Sequence, residues 1–214
     1  MAQLALKYRP AAWADVVGQD KAVARLTGLR DARGLGGRAY WLSGGSGTGK
    51  TTLAQLIAAD VADPECVEEL DAASLTVAEL RDVERTASVR GWGKGGRVWI
   101  VNEAHALRSA VIRQLLVFLE RLPSHVAIVF TTTTEGQTSM FEDCADASPL
   151  LSRCLPVPLA RRDLAKAFAT RAQAIAQAEG LDGGKTPAQW LRLVQDCGNN
   201  LRAVLQAVDA GDML

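Results

Sequence analysis

At 214 residues the chain suits one large domain, or a domain with a small appendage, and is long enough for a substantial core. Hydrophobic residues make up 48% and charged ones 22%, values of a soluble globular protein, and no uninterrupted apolar stretch reaches the about 18 residues that span a bilayer, which argues against a membrane protein. Lysine plus arginine balances aspartate plus glutamate at 24 each, so the chain is not a polycation and any nucleic-acid contact must come from a local patch. The start MAQLALKYRP lacks the extended apolar core of a signal peptide, and cytoplasm is the expected compartment. Cys66, Cys144, Cys154 and Cys197 are scattered without a C-x-x-C pair, and the histidines are His105 and His125. That pattern fits buried reduced thiols rather than a metal site, and no zinc is expected.

An N-terminal arm to Gln19 precedes a helical pattern (Val23, Leu26, Leu29) that stops at the glycine-rich turn Gly34 to Gly37. The apolar run Ala39 to Leu42 reads as a strand, and Leu53, Leu56 and Ile57 open a helix. Between them Gly44 to Thr51 reads GGSGTGKT, which fits the phosphate-binding form G-x-x-x-x-G-K-[ST] in the strand-to-helix context that mechanism needs. Backbone N–H groups of Gly44, Gly45, Ser46, Gly47, Thr48 and Gly49 can curl around a β-phosphate. Lys50 can reach the β- and γ-phosphates, and the Thr51 hydroxyl can ligate Mg²⁺, with Thr52 next in the helix N-terminus. A nucleoside triphosphate, ATP with Mg²⁺, is the implied ligand.

A short strand at Val67 to Leu70 leads through DAAS into an amphipathic segment, Val77 to Val89. Glycine and basic residues then fill Arg90 to Arg97. Val98 to Val101 fits a buried parallel strand and ends in Asn102-Glu103. A phosphate-loop ATPase carries an acidic pair there, one carboxylate for the Mg²⁺ shell and the next to orient or deprotonate the attacking water. Glu103 supplies the second; Asn102 keeps an acceptor oxygen for a Mg²⁺-bound water but not the charge. Leu107 to Leu122 reads as a helix, and Val126 to Phe130 as a strand running into Thr131 to Thr134. Hydroxyls of this run at the strand end would touch the γ-phosphate or the attacking water, or else record strand propensity and a turn alone. Strands alternating with helices predict an α/β fold, a parallel sheet with helices on both faces. After Pro158 the pattern is helical throughout: Leu164, Phe168, Arg171 and Ile175, then Pro187, Trp190 and Leu193, then Leu201 to Val208. The expected division is an α/β nucleotide-binding domain over 1–158 and a small all-helical lid over 159–214.

The ordered set of motifs resembles a clamp-loader ATPase of the AAA+ superfamily. It is most similar to the gamma/tau subunits of bacterial DNA polymerase III, with replication factor C subunits as cousins. The resemblance rests on KYRPAAWADVVGQ, GGSGTGKTTLA, ELDAAS, VWIVNEAHAL, the threonine run, PLLSRC and GNNLRAVL, and it covers nearly the whole chain. It implies that Tyr8, Arg9, Pro10 and Val17 frame adenine and that Thr132 or Thr133 is the sensor threonine. It also implies that Arg153 is an arginine finger inserted into a neighbouring subunit's ATP and that Arg202 is the lid arginine touching the γ-phosphate of its own subunit. Catalysis would thus fall to Lys50, Glu103, Thr132, Thr133, Arg153 and Arg202. The implied partners are AAA+ neighbour subunits in a homo- or hetero-oligomer, DNA, and a sliding clamp. The basic segment Arg90, Lys94 and Arg97, with Arg108 and Arg113 opening the next helix, would face the bore of the spiral and neutralise DNA phosphates, or else form a flexible solvated loop.

The chain also departs from the family pattern. Asp60 to Cys66 is a short connection where gamma/tau subunits resembling it carry a four-cysteine zinc module. The sequence ends at Leu214, where the family continues into a helical collar, and Gln137 to Ser148 reads as an acidic insertion. Asn102 stands in the usual aspartate position, which implies slow hydrolysis. The alternative reading is a nucleotide-binding assembly or switch module that does not hydrolyse ATP.

Overall fold

The computed structural model describes residues 3–133, 147–160 and 162–213. Thr134 and residues 137–146 of the acidic insertion lie outside the described residues. Contacts group the chain into two compact units, one of Ala24–Gly44 and Lys50–Pro158, the other of Met1–Val23, Gly45–Gly49 and Leu159–Leu214.

The first unit is a five-stranded parallel sheet of order β2-β3-β4-β1-β5: β1 is Arg38–Ser43, β2 Val67–Asp71, β3 Arg97–Asn102, β4 Val126–Thr132 and β5 Cys154–Pro158. The three inner strands read as near-continuous apolar runs because helices cover both their faces, and every residue of β4 is buried. Trp41 of β1 and Phe130 of β4 meet with ring centroids 5.4 Å apart in this core. The sheet-covering helices include α3 (Lys50–Val61), α4 (Val77–Ala87) and α5 (Ser109–Glu120). A capping box between Thr76 and Glu79 opens α4, and the two hydrogen bonds from Thr76 hold the Glu79 carboxyl below its ordinary range.

Both sheet edges resist further pairing. β2 carries exposed Glu68, Glu69 and Asp71 beside half-buried Val67 and Leu70. β5 carries Pro156 and Pro158, residues that no strand pattern signals. Proline lacks the N–H a central strand must donate, so it fits only at an edge. The Pro156 carbonyl accepts from the Arg25 guanidinium at 2.5 Å, so that edge is also covered by a side chain of the helix preceding β1, α2 (Asp20–Arg33). A short helix, α6 (Ala147–Ser152), precedes β5.

The second unit packs α7 (Ala165–Glu179), α8 (Pro187–Asp196) and α9 (Leu201–Ala210) around buried Phe168, Ala172, Trp190, Val204 and Val208. Pro187 sits at the first position of α8 behind a Thr186–Gln189 capping box, and Asn200 caps α9 by accepting from Ala203 N–H at 3.2 Å. The N-terminal arm belongs to this core. Leu4, on the one-turn helix α1 (Leu4–Lys7), is buried in it, with Tyr8 and Val17 packed alongside. No helix among the described residues is long and apolar enough to cross a membrane.

Candidate nucleotide-binding site

The phosphate loop leaves β1 at Ser43 and enters α3 at Lys50. In the α/β unit, Gly44 N–H donates to the Thr132 carbonyl at 3.3 Å, which ties the loop's first residue to the adjacent strand β4. Lys50 Nζ donates to the Gly44 carbonyl at 2.9 Å, so the ammonium is folded over the loop it would serve. Thr51 and Thr52 lie half-buried in the first turn of α3, where the N–H groups that open a helix and the helix dipole favour an anion.

Parallel strands put their carboxyl ends at one side of the sheet, which brings Asn102 and Glu103 from β3 together with Thr131, Thr132 and Thr133 from β4. Glu103 is exposed and left-handed, with φ 52° and ψ 46°, a conformation that costs a non-glycine residue about 1–3 kcal/mol. Its carbonyl accepts from Ala106 N–H at 2.8 Å, which closes a single 3-10 turn and turns the side chain out of the strand. Within that turn His105 Nδ1 lies 3.2 Å from Thr132 Oγ1 and 3.5 Å from Glu103 Oε2. The Thr132 hydroxyl itself donates to the Thr133 carbonyl at 3.2 Å. An imidazole therefore stands between the two groups singled out for the attacking water and the γ-phosphate.

Asn102 is held at both ends of its amide. Thr131 Oγ1 donates to Asn102 Oδ1 at 3.0 Å, and Asn102 Nδ2 donates to Glu69 Oε2 at 3.1 Å. The other oxygen of Glu69 accepts from Gln55 Nε2 of α3 at 3.2 Å.

In the helical unit, the middle of the phosphate loop rests on α9 and the arm. Gly47 has φ +72°, and a Cβ there would come within 1.8 Å of Asn200 Oδ1. Buried Thr48 donates to Gly45 O at 2.9 Å. Gln19, 2% exposed, donates to Thr48 O at 3.2 Å and to Ala160 O at 3.0 Å, and its own oxygen accepts from Ala160 N–H at 2.8 Å. A buried amide with every bond directed at backbone acts as a staple. Tyr8, Arg9, Pro10 and Val17 are partly buried in the arm, and Arg202 is exposed in the first turn of α9. The Tyr8 hydroxyl donates to Glu179 Oε1, which Lys7 Nζ also contacts at 2.6 Å. The two bonds, that from Lys7 first, hold the Glu179 carboxyl below its ordinary range, and the bond to Glu179, with burial, pushes the Tyr8 hydroxyl up.

Arg153 lies apart from these groups in its contacts: its guanidinium pairs with Glu120 at the end of α5 and donates to the Pro149 carbonyl at 3.0 Å. Neighbouring Cys154 is buried, donates to Leu150 O at 3.3 Å, and has its thiol pushed up to about 12 by burial, so it is a packing residue. In the basic segment, Arg97 Nε donates to Val89 O at 2.8 Å and Lys94 Nζ to Ala59 O. Two of the cations expected to face DNA thus hold backbone of their own chain. His105 and Gln19 fall inside motifs already singled out, yet nothing local distinguishes them. Glu69 and Asn200 also lie inside named motifs, and with Gln55 and Glu120 they meet partners distant in sequence, which no spacing pattern announces.

A family model described as "ATPase family associated with various cellular activities (AAA)" matches residues 40–147. The chain is 37% identical over 155 residues to the DNA polymerase III subunit gamma/tau of Mycobacterium tuberculosis, covering 59% of this chain and 26% of the relative. It is 34% identical over 189 residues to the DNA polymerase III subunit tau of Escherichia coli, covering 75% of this chain and 27% of the relative. It thus spans about a quarter of the length of these curated relatives. Among solved structures, a single-residue variant of Thermotoga maritima RuvB superposes with TM-score 0.73 at 18% identity, over 94% of this chain and 64% of that one. Domain III of the Thermotoga maritima replication initiation protein DnaA gives 0.61 at 20% identity, over 90% and 82%. The phosphate loop on β1, with an acid and threonines at the ends of β3 and β4, is thereby placed in its lineage: the chain belongs to the AAA family of ATPases.

Proposed function

We propose that this chain is a clamp-loader-type subunit that binds Mg-ATP at Gly44 to Thr52, hydrolyses it slowly, and couples it to assembly on DNA during replication of a cell or mobile element. The observation that carries this reading is the convergence of Lys50, Glu103, Thr131 and Thr132 at the carboxyl ends of three adjacent parallel strands. Lys50 and the loop amides would bind the β- and γ-phosphates, Glu103 would orient and deprotonate the attacking water, and Thr132 or Thr133 would position it. Mg²⁺ fits the donors present, the Thr51 hydroxyl and Asn102 through water, and when bound it offsets phosphate charge. Motif positions assign adenine to Tyr8, Arg9, Pro10 and Val17, and the γ-phosphate to Arg202. Arg153, supplied in trans, would make turnover depend on an AAA+ neighbour, and a planar guanidinium suits that role. DNA and a sliding clamp are the further partners of this reading.

Asn102 favours the second reading, a nucleotide switch without turnover. Steady-state ATPase assays of the wild type beside Asn102→Asp, with and without primed DNA, separate the two. The first reading expects slow wild-type turnover that the restored carboxylate accelerates; the second expects ATP binding with no turnover in the wild type. Lys50→Ala should lower ATP affinity at least about ten-fold, since a charge-assisted contact contributes roughly 1.5–3 kcal/mol. Unchanged affinity in calorimetry would remove the site assignment altogether.

A further inference from the structure

We propose that Glu69 supplies, from the neighbouring strand, the metal-side negative charge that Asn102 lacks. This deepens the Mg-ATP reading and rests on it. β2 and β3 pair in parallel with Glu69 opposite Ile100 and Asp71 opposite Asn102, so Glu69 and Asn102 project from the same face of the sheet. Their side chains meet, Asn102 Nδ2 donating to Glu69 Oε2 at 3.1 Å. The other oxygen of Glu69 is fixed by Gln55 Nε2 at 3.2 Å, and Gln55 lies one turn beyond Thr51 on the same side of α3. The carboxylate is therefore held between the strand end that carries Asn102 and the helix face that carries the metal-ligating threonine.

Both bonds to Glu69 come from neutral amides, and among the described residues no cation pairs with it, so its charge is oriented without being neutralised. Asn102 Oδ1 keeps a lone pair beyond the one Thr131 uses, enough to accept from a metal-bound water. With Mg²⁺ bound, Asn102 would serve as an adaptor, its oxygen accepting from a metal-bound water while its NH₂ holds the Glu69 carboxylate. No cluster of three or more His, Cys, Asp or Glu among the described residues is placed to hold an ion. A Mg²⁺ bound here would keep most of its shell as phosphate oxygens and waters, the arrangement in which one outer carboxylate matters most.

The test is calorimetric titration of ATP into the wild type, Glu69→Gln, Glu68→Gln and the charge-transposed double variant E69Q/N102D, each with Mg²⁺ and with EDTA. Glu69 is exposed, so its amide variant should fold. The proposal expects Glu69→Gln to weaken Mg-ATP binding about ten-fold, the usual effect of losing an outer-shell partner, with no change in EDTA. Glu68, whose carboxylate accepts from Trp99 Nε1, should tolerate the same change. The double variant should return to within about three-fold of wild type, because the carboxylate has moved back to the β3 side. Equal Mg-ATP affinity in Glu69→Gln, an equal loss in EDTA, or no recovery in the double variant each overturns the assignment. A wild type that binds ATP in neither condition removes the Mg-ATP reading itself, which is a different and recognisable failure.

Discussion

The amide of Asn102 donates to Glu69 Oε2 at 3.1 Å and accepts from Thr131 Oγ1 at 3.0 Å, so one residue joins strands β2 and β4 through its neutral side chain. Replacing it by aspartate turns the first bond into a contact between two carboxylates. At about 4 Å in high dielectric such a pair repels by ~1 kcal/mol. Asn102→Asp should therefore melt lower than wild type without nucleotide, recover in saturating Mg-ATP, and turn over faster. A nucleotide-free melting temperature equal to wild type would contradict the contact.

Glu103 combines a left-handed backbone with the position proposed to orient the attacking water. Glycine relieves that strain, so Glu103→Gly should gain stability of the order of 1 kcal/mol while losing turnover, whereas Glu103→Gln should lose turnover with stability unchanged. Thermal unfolding and single-turnover ATPase on the same preparations read both quantities. A destabilised Glu103→Gly would mean that the left-handed turn stores no strain.

Gly47 has no room for a side chain, since its φ is +72° and Asn200 Oδ1 stands 1.8 Å from where a Cβ would be. Gly47→Ala must shift either the loop or the cap of α9, with about 1–2 kcal/mol of backbone cost alone. ATP affinity should fall, and pairing the change with Asn200→Ala should recover part of it by clearing the steric conflict. Strictly additive losses in that cycle would leave the two residues uncoupled.

The attachment of the N-terminal arm to α7 through Glu179 has a defined pH window. Its folded carboxyl titrates below the ordinary 4.5, so the stabilisation is fully present above that value and is lost as pH falls through the folded one. The difference in melting temperature between wild type and Glu179→Gln should be constant near neutrality and close in acid below about pH 4.5. A gap that persists undiminished into strong acid would assign it to shape rather than charge.

DNA binding by the segment Arg90 to Arg97 should be weaker in charge than its composition suggests, because Lys94 and Arg97 are engaged by carbonyls at Ala59 and Val89. Arg90→Ala alone should flatten the salt dependence by about one unit, and the triple replacement of Arg90, Lys94 and Arg97 by little more. Fluorescence anisotropy over a salt series measures the slope. A loss of roughly three units in the triple variant would show that both engaged cations exchange their carbonyls for phosphate.

By itself the sequence determined what short-range physics records. The glycine, lysine and threonine spacing of the phosphate loop, the apolar runs of β1, β3 and β4, and the 3.6-residue periodicity of the helices all act between near neighbours along the chain. The acid Glu103 and the threonines were legible for the same reason, as strand-end residues. Only the tertiary structure decided the strand order, the proline-bearing edge β5, and the burial of Leu4 among C-terminal helices. Each of these depends on partners far away in sequence. The same holds for the surroundings of Asn102. Its substitution is visible at a glance, but the carboxylate of Glu69 reaches it across a parallel crossover, and that closeness is set by sheet register, which no local pattern encodes.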